Sequence, residues 1–547
     1  MKLATIFTTV TLLTVLSCLP NNLATCHTLT NKIQNLHPIE ITRNENPILK
    51  PEAPELIEDR KKLNVLILTL EAPGHIYVPL ALAEELIRRG HKVTISTSGN
   101  KSQEAVEKVG VAFKSNGPGN NMVEKIQKQK DQTITTFLIK MIPEMSRVFA
   151  LEMNQFTDMI LAETKAGTKW DIIMSTDFLM TLLPCLAAHL NIPAIMLGTT
   201  MQMYPHTYPA WPWPSSMTGG TNDDMTFLRR FGHAIERIVA PTLFSFLFYS
   251  PAKSTIAKVC PELTTAQIVN APAVYIPNIV PTVIGFEFPR TMTPLTHYVG
   301  PVQSEYPASL SPELEAWLAN KSVVYISMGS LLSVTKEMAE ALIEGIQRTN
   351  YSVVWAMRKS QDFQLNIDPE QFYISKWLPQ LAVLRHTATR LAILHGGANG
   401  VHESLNSGVP VIVLPKMVEQ IGNAGRVHHH QLGIHLNKQG LTAEQVYQSI
   451  VEIDSGDYRE NVRKLQKVFR AAGGAKRAAD LVEFYSEVGY DHLIPAYAKY
   501  NWNWVQYYNA DVYTLLLVCA LVTVYIDYKI LKCLYSRCCK SKKQKIE

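Results

Sequence analysis

The sequence predicts an α/β protein with two Rossmann-like domains that face a cleft, followed by one C-terminal transmembrane helix. Three observations support this fold class. The chain has 547 residues, of which 47% are hydrophobic, and this length exceeds what a single core usually organises. Two series of short apolar runs, separated by helical patterns, follow one another along the chain. The third observation is an uncharged apolar run close to the C-terminus.

The first 24 residues have the pattern of a secretory signal peptide. Lys2 precedes an apolar run from Leu3 to Leu19, and the sequence then turns polar and reaches Ala24, where cleavage is plausible. An N-terminal anchor helix is the alternative, although the polar break comes early for a full span. Residues 25–62 are polar, contain proline and have no clear period, so we interpret them as a leader.

The first α/β series begins with a continuous apolar run. Residues Lys62–Leu70 (KLNVLILTL) have the composition of a parallel strand that is buried on both faces. A helical pattern over Val78–Arg89 and a second strand over His91–Thr97 complete a βαβ unit. We assign residues 63–288 to a first Rossmann-like domain. Further apolar runs continue the series at Trp170–Ser175 and Pro193–Leu197.

A second α/β series begins near residue 322. Two α/β halves of comparable length are typical of two Rossmann-like domains that face a cleft. We assign residues 289–490 to the second domain. A helix is predicted at Lys336–Arg348. Four strands are predicted at Ser322–Met328, Ser352–Arg358, Arg390–Leu394 and Pro410–Leu414.

An uncharged run lies between Asp511 and Asp527. As a helix it is about 22 Å long, which is short of a hydrocarbon core of about 30 Å. Tryptophan and tyrosine side chains flank the run and would occupy the interfaces, and the ER bilayer is thinner than average. We predict a juxtamembrane segment at 491–510 and a transmembrane helix at 511–528, with a buried core helix as the alternative.

The formal net charge of +5 is located after the predicted span. From Asp527 to Glu547 there are seven basic residues against two acidic ones, so the preceding sequence is neutral. A neutral body does not indicate nucleic-acid binding. Because positive charge stays on the cytosolic side of a membrane, the tail at 529–547 is predicted to be cytosolic and the body luminal. The last five residues, KQKIE, resemble the K-x-K-x-x retrieval signal of type I ER membrane proteins.

Cysteines and glycosylation sequons agree with a luminal body. Outside the predicted signal, span and tail only Cys26, Cys185 and Cys260 remain, which are too few for a disulfide framework. Three N-x-S/T sequons are usable in a luminal body, at Asn100, Asn320 and Asn350.

The most informative segment runs from Trp377 to Gln420. A predicted strand delivers His395 to its C-terminal end, and the two glycines that follow let the backbone approach a ligand closely. A helix opens directly after them, and the N–H groups and positive dipole end of a helix start form an anion site. Asn399 lies in the first turn of this helix, and Glu403 lies four residues further on the same face.

The whole run, WLPQLAVLRHTATRLAILHGGANGVHESLNSGVPVIVLPKMVEQ, resembles the signature of family 1 UDP-glycosyltransferases, which have the GT-B fold. The resemblance implies a site for a UDP-sugar, in which carboxylates recognise hydroxyl groups by accepting hydrogen bonds. The implied roles are uracil stacking by Trp377, nucleoside contact by Gln380, pyrophosphate contact by His395, positions near the phosphates for Ser330, Gly397, Asn399 and Gly400, ribose binding by Glu403, and sugar binding by Glu419 and Gln420.

Three positions depart from the family pattern. Leu394 stands where the family usually has serine or threonine, and Lys416 stands where it has an apolar residue. Glu419 replaces the usual aspartate and is one methylene longer. We expect the pyrophosphate contacts to be retained, whereas these departures leave the choice of sugar open.

The N-terminal half carries a second resemblance. Residues 71–79 (EAPGHIYVP) look like the opening unit of the same family, which implies that His75 is the general base. Histidine suits this task because its unperturbed pKa lies near working pH. In the family a carboxylate orients the histidine, and the matching residue is Asp177, which also follows a predicted strand. Without the resemblance, an isolated histidine favours a structural role and an isolated aspartate favours a helix cap.

The triplet His428 to His430 raises the question of a metal site. Adjacent residues on a helix point in different directions, so three in a row cannot converge on one ion. We therefore predict no metal site and interpret the triplet as a solvated helix segment.

Together these features predict an ER-membrane enzyme that transfers a hexosyl group, with inversion, from UDP-glucose or UDP-glucuronic acid to a hydroxyl of a small lipophilic acceptor. The UDP-sugar is a co-substrate, and no bound cofactor is expected. One alternative is a UDP-sugar epimerase of the same architecture, and the other is a non-catalytic luminal protein that binds a UDP-sugar or a lipophile. The sequence leaves open the acceptor, the choice between the two donors and the formation of a homo-oligomer.

Overall fold

The computed structural model describes residues 61–71, 73–119, 142–176, 179, 181–198, 226–228, 230–232, 235, 250–261, 276–289, 292–306, 308–329, 334–357, 367–415, 418–494 and 503–543. The predicted signal peptide, nearly all of the predicted leader, Asp177, Ser330 and Lys416 lie outside the described residues. The chain divides into one compact unit at 62–499 and a second unit that contains residues 500–547.

The first half of the chain forms a seven-stranded sheet whose neighbouring strands are all parallel. Its strands are β1 Asn64–Leu68, β2 Lys92–Thr97, β3 Ala112–Ser115, β4 Ile172–Thr176, β5 Ala194–Leu197, β6 Asn278–Val280 and β7 Thr296–Tyr298. They are arranged in the order β3-β2-β1-β4-β5-β6-β7. The central strands are buried on both faces, which explains why they read as continuous apolar runs.

Helices cover both faces of this sheet. On one face Leu82 and Leu86 pack against Val65 and Ile67. On the other face the helix Ile142–Lys165 packs Phe156 and its neighbours against alternate residues of β1. The helices of this half are α1 Pro73–Arg88, α2 Gln103–Glu107, α3 Ile142–Lys165, α4 Leu183–Leu190 and α5 Ser250–Val259.

The second half forms a six-stranded parallel sheet. Its strands are β8 Val323–Ser327, β9 Ser352–Ala356, β10 Phe372–Ser375, β11 Thr389–Leu394, β12 Val411–Val413 and β13 Gly433–His435. They are arranged in the order β10-β9-β8-β11-β12-β13. Counted from its own first strand, the second sheet has the order 3-2-1-4-5-6, and the first sheet has the same order with a seventh strand added at its end. The strand order reverses between β1 and β4 and between β8 and β11. The predicted pair of Rossmann-like sheets is confirmed.

The helices of the second half alternate with these strands. The helix Ala443–Ser455 begins with a capping box in which the Thr442 and Gln445 side chains each bond to the backbone of the other residue. The helices are α6 Pro312–Leu318, α7 Lys336–Gln347, α8 Gln380–Arg385, α9 Ala398–Asn406, α10 Val418–His429, α11 Ala443–Ser455, α12 Tyr458–Ala472 and α13 Gly474–Val488.

The last of these helices packs on the first sheet instead of the second. Residues of α13 such as Ala478 and Val482 are buried in the same apolar cluster as α1. Arg89, which follows α1, extends its guanidinium to Asp480 at 2.7 Å and to Glu483 at 3.0 Å. The first sheet also continues to β7, past the predicted boundary at residue 288. The chain thus passes from one sheet to the other twice, before α6 and before α13.

A disulfide joins the end of α5 to α4. Cys185 and Cys260 are 75 residues apart in sequence, and both are fully buried. The sequence predicted too few cysteines for a disulfide framework, and sequence reasoning did not anticipate this single bridge. A disulfide is typical of an oxidising compartment.

The second unit contains a long apolar helix. After the short α14 Trp504–Tyr507, helix α15 extends over Ala510–Lys543. Its stretch Ala510–Ser536 has 27 residues, and an 18-residue window within it has a mean hydropathy of 1.9, so the stretch is long and apolar enough to cross a membrane. At about 1.5 Å per residue this stretch measures about 40 Å. The predicted span at 511–528 lies inside it, and the helix continues into the basic tail.

Candidate active site

A cleft opens where the carboxyl ends of the two sheets face each other. In open parallel sheets, ligands bind at the point where the strand order reverses. His75 follows β1 and His395 follows β11, so one histidine stands at the reversal point of each sheet. The cleft has a volume of about 380 Å³ and is lined by loops from both halves. This volume lies within the range of small-molecule sites.

The first half contributes His75, which lies in the first turn of α1. The Thr69 hydroxyl, at the end of β1, donates a hydrogen bond to the His75 carbonyl oxygen at 3.1 Å and so ties this turn to the strand. Burial lowers the pKa of His75 to about 4, which makes the imidazole neutral at pH 7. A neutral imidazole has a lone pair that can accept a proton. Asp177, its predicted partner, lies outside the described residues.

The second half contributes His395 at the end of β11. Two glycines hold its ring: a Cβ at Gly329 would lie 2.5 Å from Cε1, and a Cβ at Gly397 would lie 2.6 Å from Nε2. Any side chain at either position would therefore displace the ring. Gly329 also has a φ of +70°, which favours glycine on its own account. Burial lowers the pKa of His395 to about 4, so this imidazole is also neutral.

The start of α9 faces the cleft with its backbone N–H groups. Gly397 precedes the helix, and among the described residues no side chain caps this end. The groups at such a helix start attract anions. Asn399 Nδ2 donates to the Gly74 carbonyl oxygen at 2.8 Å and thereby joins the second half to the first. Gly400 also lines the cleft.

Glu403 and Gln380 form a polar pair further into the cleft. Gln380 Nε2 donates to Glu403 Oε2 at 2.5 Å. Burial raises the pKa of Glu403 to about 7, although the bond from Gln380 and the charge of Arg385 act in the opposite direction. The carboxyl group is therefore close to its titration midpoint at neutral pH and can accept hydrogen bonds from a ligand when it is ionised.

The remaining predicted residues lie at the rim and at the far end of the cleft. Trp377 is 58% exposed, so its indole ring is available for stacking instead of being packed in a core. Ser375 Oγ donates to the Trp377 carbonyl oxygen at 2.9 Å and fixes the loop that carries it. Glu419 and Gln420 lie in the first turn of α10, and Gln420 is buried. Both line the cleft.

The structure thus brings together every described residue that the sequence predicted for the site. Ten of the twelve predicted residues line the cleft, and the other two, Asp177 and Ser330, lie outside the described residues. Sequence reasoning missed Tyr325 and Arg385. Tyr325 was detectable as a tyrosine in the middle of a largely aliphatic strand, whereas no pattern distinguished Arg385 from a surface arginine.

The interpretation of the histidine triplet as a solvated segment is wrong for two of its members. His428 is exposed, but the rings of His429 and His430 lie 5.0 and 5.7 Å from the ring of Phe288. His430 Nε2 is also 3.1 Å from the Phe286 carbonyl oxygen. The segment that carries these phenylalanines connects β6 to β7 of the first sheet, so the triplet helps to attach α10 to this connection.

Comparison with known proteins gives a consistent result. A family model described as UDP-glucoronosyl and UDP-glucosyl transferase matches residues 64–545. UDP-glucuronosyltransferase 1A6 of Homo sapiens is 28% identical over 378 residues, which cover 65% of this chain and 68% of the relative. UDP-glucuronosyltransferase 2A3 of Cavia porcellus is 25% identical over 502 residues, which cover 83% of this chain and 90% of the relative.

Solved structures share the fold. The glycotransferase of kitacinnamycin aligns with a TM-score of 0.58 at 21% identity and covers 80% of this chain and 100% of its own. A UDP-glucosyltransferase from Polygonum tinctorium aligns with a TM-score of 0.55 at 17% identity and covers 79% and 100%. These neighbours are GT-B glycosyltransferases. Since the family model matches nearly the whole chain, the protein belongs to the UDP-glucoronosyl and UDP-glucosyl transferase family and is an enzyme that transfers a sugar from a UDP-sugar.

Proposed function

We propose that the enzyme transfers a hexosyl group from a UDP-sugar to the hydroxyl of a small lipophilic acceptor, with inversion at the anomeric carbon. One observation carries the proposal: His75 and the residues for the nucleotide line the same cleft. The bond from Asn399 to the Gly74 carbonyl oxygen brings the start of α9 next to the turn that holds His75. This arrangement supports a base and an anion site on opposite walls of one small volume.

The donor would lie along the second half of the cleft. The uracil stacks on the exposed ring of Trp377, and base–aromatic stacking is sequence-tolerant but strong. Gln380 and Glu403 receive the nucleoside and its ribose hydroxyls. The pyrophosphate lies at the start of α9 beside His395, where N–H groups and the helix dipole match its charge. Glu419 and Gln420 contact the hydroxyls of the sugar.

His75 would act as the general base. Its neutral imidazole takes the proton of the acceptor hydroxyl while the acceptor oxygen attacks the anomeric carbon. The new C–O bond forms as the bond from that carbon to the UDP oxygen breaks, and UDP departs with the electron pair of that bond. The anion site at α9 stabilises the charge that develops on UDP. Asp177 is proposed to stabilise the imidazolium that forms. A single displacement converts an α-linked donor into a β-glycoside.

The same proposal extends to the donor sugar and the location of the enzyme. UDP-glucose and UDP-glucuronic acid are the two candidate donors, and the curated relatives named above are glucuronosyltransferases. We propose a type I topology in the ER membrane, with α15 as the span and residues 62–499 in the lumen. The exposed sequon residues Asn100, Asn320 and Asn350 would then be available for glycosylation.

A donor and acceptor screen on detergent-solubilised protein tests the proposal. We expect UDP release that depends on a phenolic or alcoholic acceptor, and we expect His75→Ala to lower kcat by about 10²- to 10⁴-fold, the usual contribution of general acid–base catalysis. Full turnover by the His75→Ala variant would refute the mechanism. Conversion of the labelled UDP-sugar without an acceptor would instead indicate an epimerase, and binding without turnover would indicate a carrier.

A further inference from the structure

Tyr325 connects the core of the second sheet to the nucleotide end of the cleft. Tyr325 lies in β8, is 1% exposed, and packs in the same apolar cluster as Val323 and Leu394. Its hydroxyl reaches the cleft and donates to Gln380 Oε1 at 3.0 Å. A buried tyrosine usually finds a hydrogen-bond partner for its hydroxyl, and here that partner is a side chain of the site.

The orientation of the Gln380 amide is set by its two hydrogen-bond partners, Tyr325 and Glu403. Gln380 uses its carbonyl oxygen to accept from Tyr325 and its amide nitrogen to donate to Glu403, at 3.0 and 2.5 Å respectively. If the amide were turned over, its carbonyl oxygen would face the carboxylate oxygen, and both are acceptors. The tyrosine hydroxyl therefore helps to hold the amide in the orientation in which it orders the carboxylate.

In the part of the chain that the structure describes, few other groups act on Glu403. The charged side chain that acts on its carboxylate is Arg385, at the end of α8. The Arg385 guanidinium is itself engaged, because it donates to the carbonyl oxygens of Ser304 and Glu305 at 3.2 Å each. Arg385 thus supplies charge, whereas Gln380 supplies the direct bond that sets the position of the carboxylate.

We infer that Tyr325 is a positioning residue of the donor site, which acts through Gln380 to hold the Glu403 carboxylate where it accepts hydrogen bonds from the vicinal hydroxyls of the ribose. The inference rests on the proposed role of Glu403 in ribose binding. It has a specific consequence: the Tyr325 hydroxyl should contribute to the discrimination between ribose and 2′-deoxyribose.

Calorimetric binding of UDP and 2′-deoxy-UDP to the full-length, detergent-solubilised protein tests this consequence. A hydrogen bond to a charged group contributes enough that we expect the unmodified protein to bind UDP at least about tenfold more tightly than the deoxy analogue. Tyr325→Phe should weaken UDP binding by about fivefold, the effect of one neutral hydrogen bond, and leave the deoxy analogue nearly unchanged. The preference for UDP should therefore fall to about twofold.

Tyr351→Phe is the matched control. Its hydroxyl donates to Asp454 at 2.8 Å in the same half of the protein, and neither residue lines the cleft. It should leave both affinities unchanged. A second comparison separates positioning from partial unfolding: Tyr325→Phe added to Glu403→Gln should weaken UDP binding no further than Glu403→Gln alone, because the carboxylate through which Tyr325 acts is then absent.

The outcomes distinguish this inference from the proposed function. If Tyr325→Phe weakens both ligands equally, or remains harmful in the Glu403→Gln background, Tyr325 is only structural and the inference is overturned while the proposed function stands. If the unmodified protein binds UDP without preference over the deoxy analogue, the proposed role of Glu403 is wrong, and the inference is overturned with it. Failure to bind UDP at all would overturn the proposed donor site itself.

Discussion

Donor affinity should depend on the ionisation of Glu403. Burial raises the pKa of this carboxyl group to about 7, whereas an exposed glutamate titrates near 4.5. Above pH 7 the ionised group accepts hydrogen bonds with both oxygens, and below pH 7 protonation removes an acceptor site and the negative charge. Because the pKa is raised, donor binding is expected to weaken as the pH falls through neutrality.

The expected size of the effect follows from the titration curve. With a pKa of about 7, the ionised fraction is about 90% at pH 8 and about 3% at pH 5.5. If only the ionised form holds the ribose, the dissociation constant should therefore rise by about thirtyfold over this range. His75 and His395 both have pKa values of about 4 and stay neutral throughout, so neither produces this dependence.

Titration calorimetry with an intact UDP-sugar, in the absence of acceptor, measures the dependence. UDP is unsuitable because a terminal phosphate has its own second pKa of about 6. Glu403→Gln is the control: it cannot ionise, so its weaker affinity should be constant from pH 5.5 to pH 8. The reasoning is refuted if the unmodified protein binds the donor with the same affinity at both ends of the range, or if the glutamine variant keeps the dependence.

Three further variants test other parts of the structure. Arg426→Met should lower the free energy of unfolding by about 3 to 5 kcal/mol in chemical denaturation. The Glu287 carboxylate is 1% exposed and lies 2.9 Å from the Arg426 guanidinium, so the substitution leaves it buried without this cation. A loss below about 1 kcal/mol would contradict this expectation. Trp377→Ala should raise the donor KM by about tenfold with kcat nearly unchanged, since it removes a stacking surface; an unchanged KM would exclude stacking. Replacing Cys185 and Cys260 by serine should cost about 2 to 4 kcal/mol in the same denaturation assay, and an equally stable variant would show that the bridge is dispensable.

The sequence predicted the parts of the fold that local chemistry determines. The core strands were recognisable because burial on both faces requires continuous apolar residues, as in β1 and β8. The loop after β11 was recognisable by its resemblance to the family signature, and the close packing of His395 against Gly329 and Gly397 admits no side chain at either glycine. Motif and geometry coincide at this point, since contact with the His395 ring limits the choice of residue.

The features that the sequence did not predict depend on long-range contacts. The amphipathic pattern of α13 does not indicate which of the two sheets the helix packs on. The tertiary structure shows that Ala478 is buried in the same cluster as residues of α1. The bond between Tyr325 and Gln380 spans 55 positions and requires β8 and α8 to be adjacent. Cys185 and Cys260 are 75 residues apart in sequence, so their pairing could not be predicted from local sequence.

The relation between the two halves of the site is set by packing outside the cleft. Where the chain crosses between the sheets, the two crossing segments touch: Gly474 N donates to the Val299 carbonyl oxygen at 2.6 Å, and a Cβ at Gly300 would lie 2.9 Å from the Phe469 carbonyl oxygen. Each sheet alone would retain its reversal point, because that point follows from strand order. The histidine that follows the strand at that point would be retained with it. The double crossing, with α13 packed on the first sheet, helps to bring the turn that holds His75 to the start of α9. The chemistry of the site therefore depends on contacts between segments that no sequence motif marks.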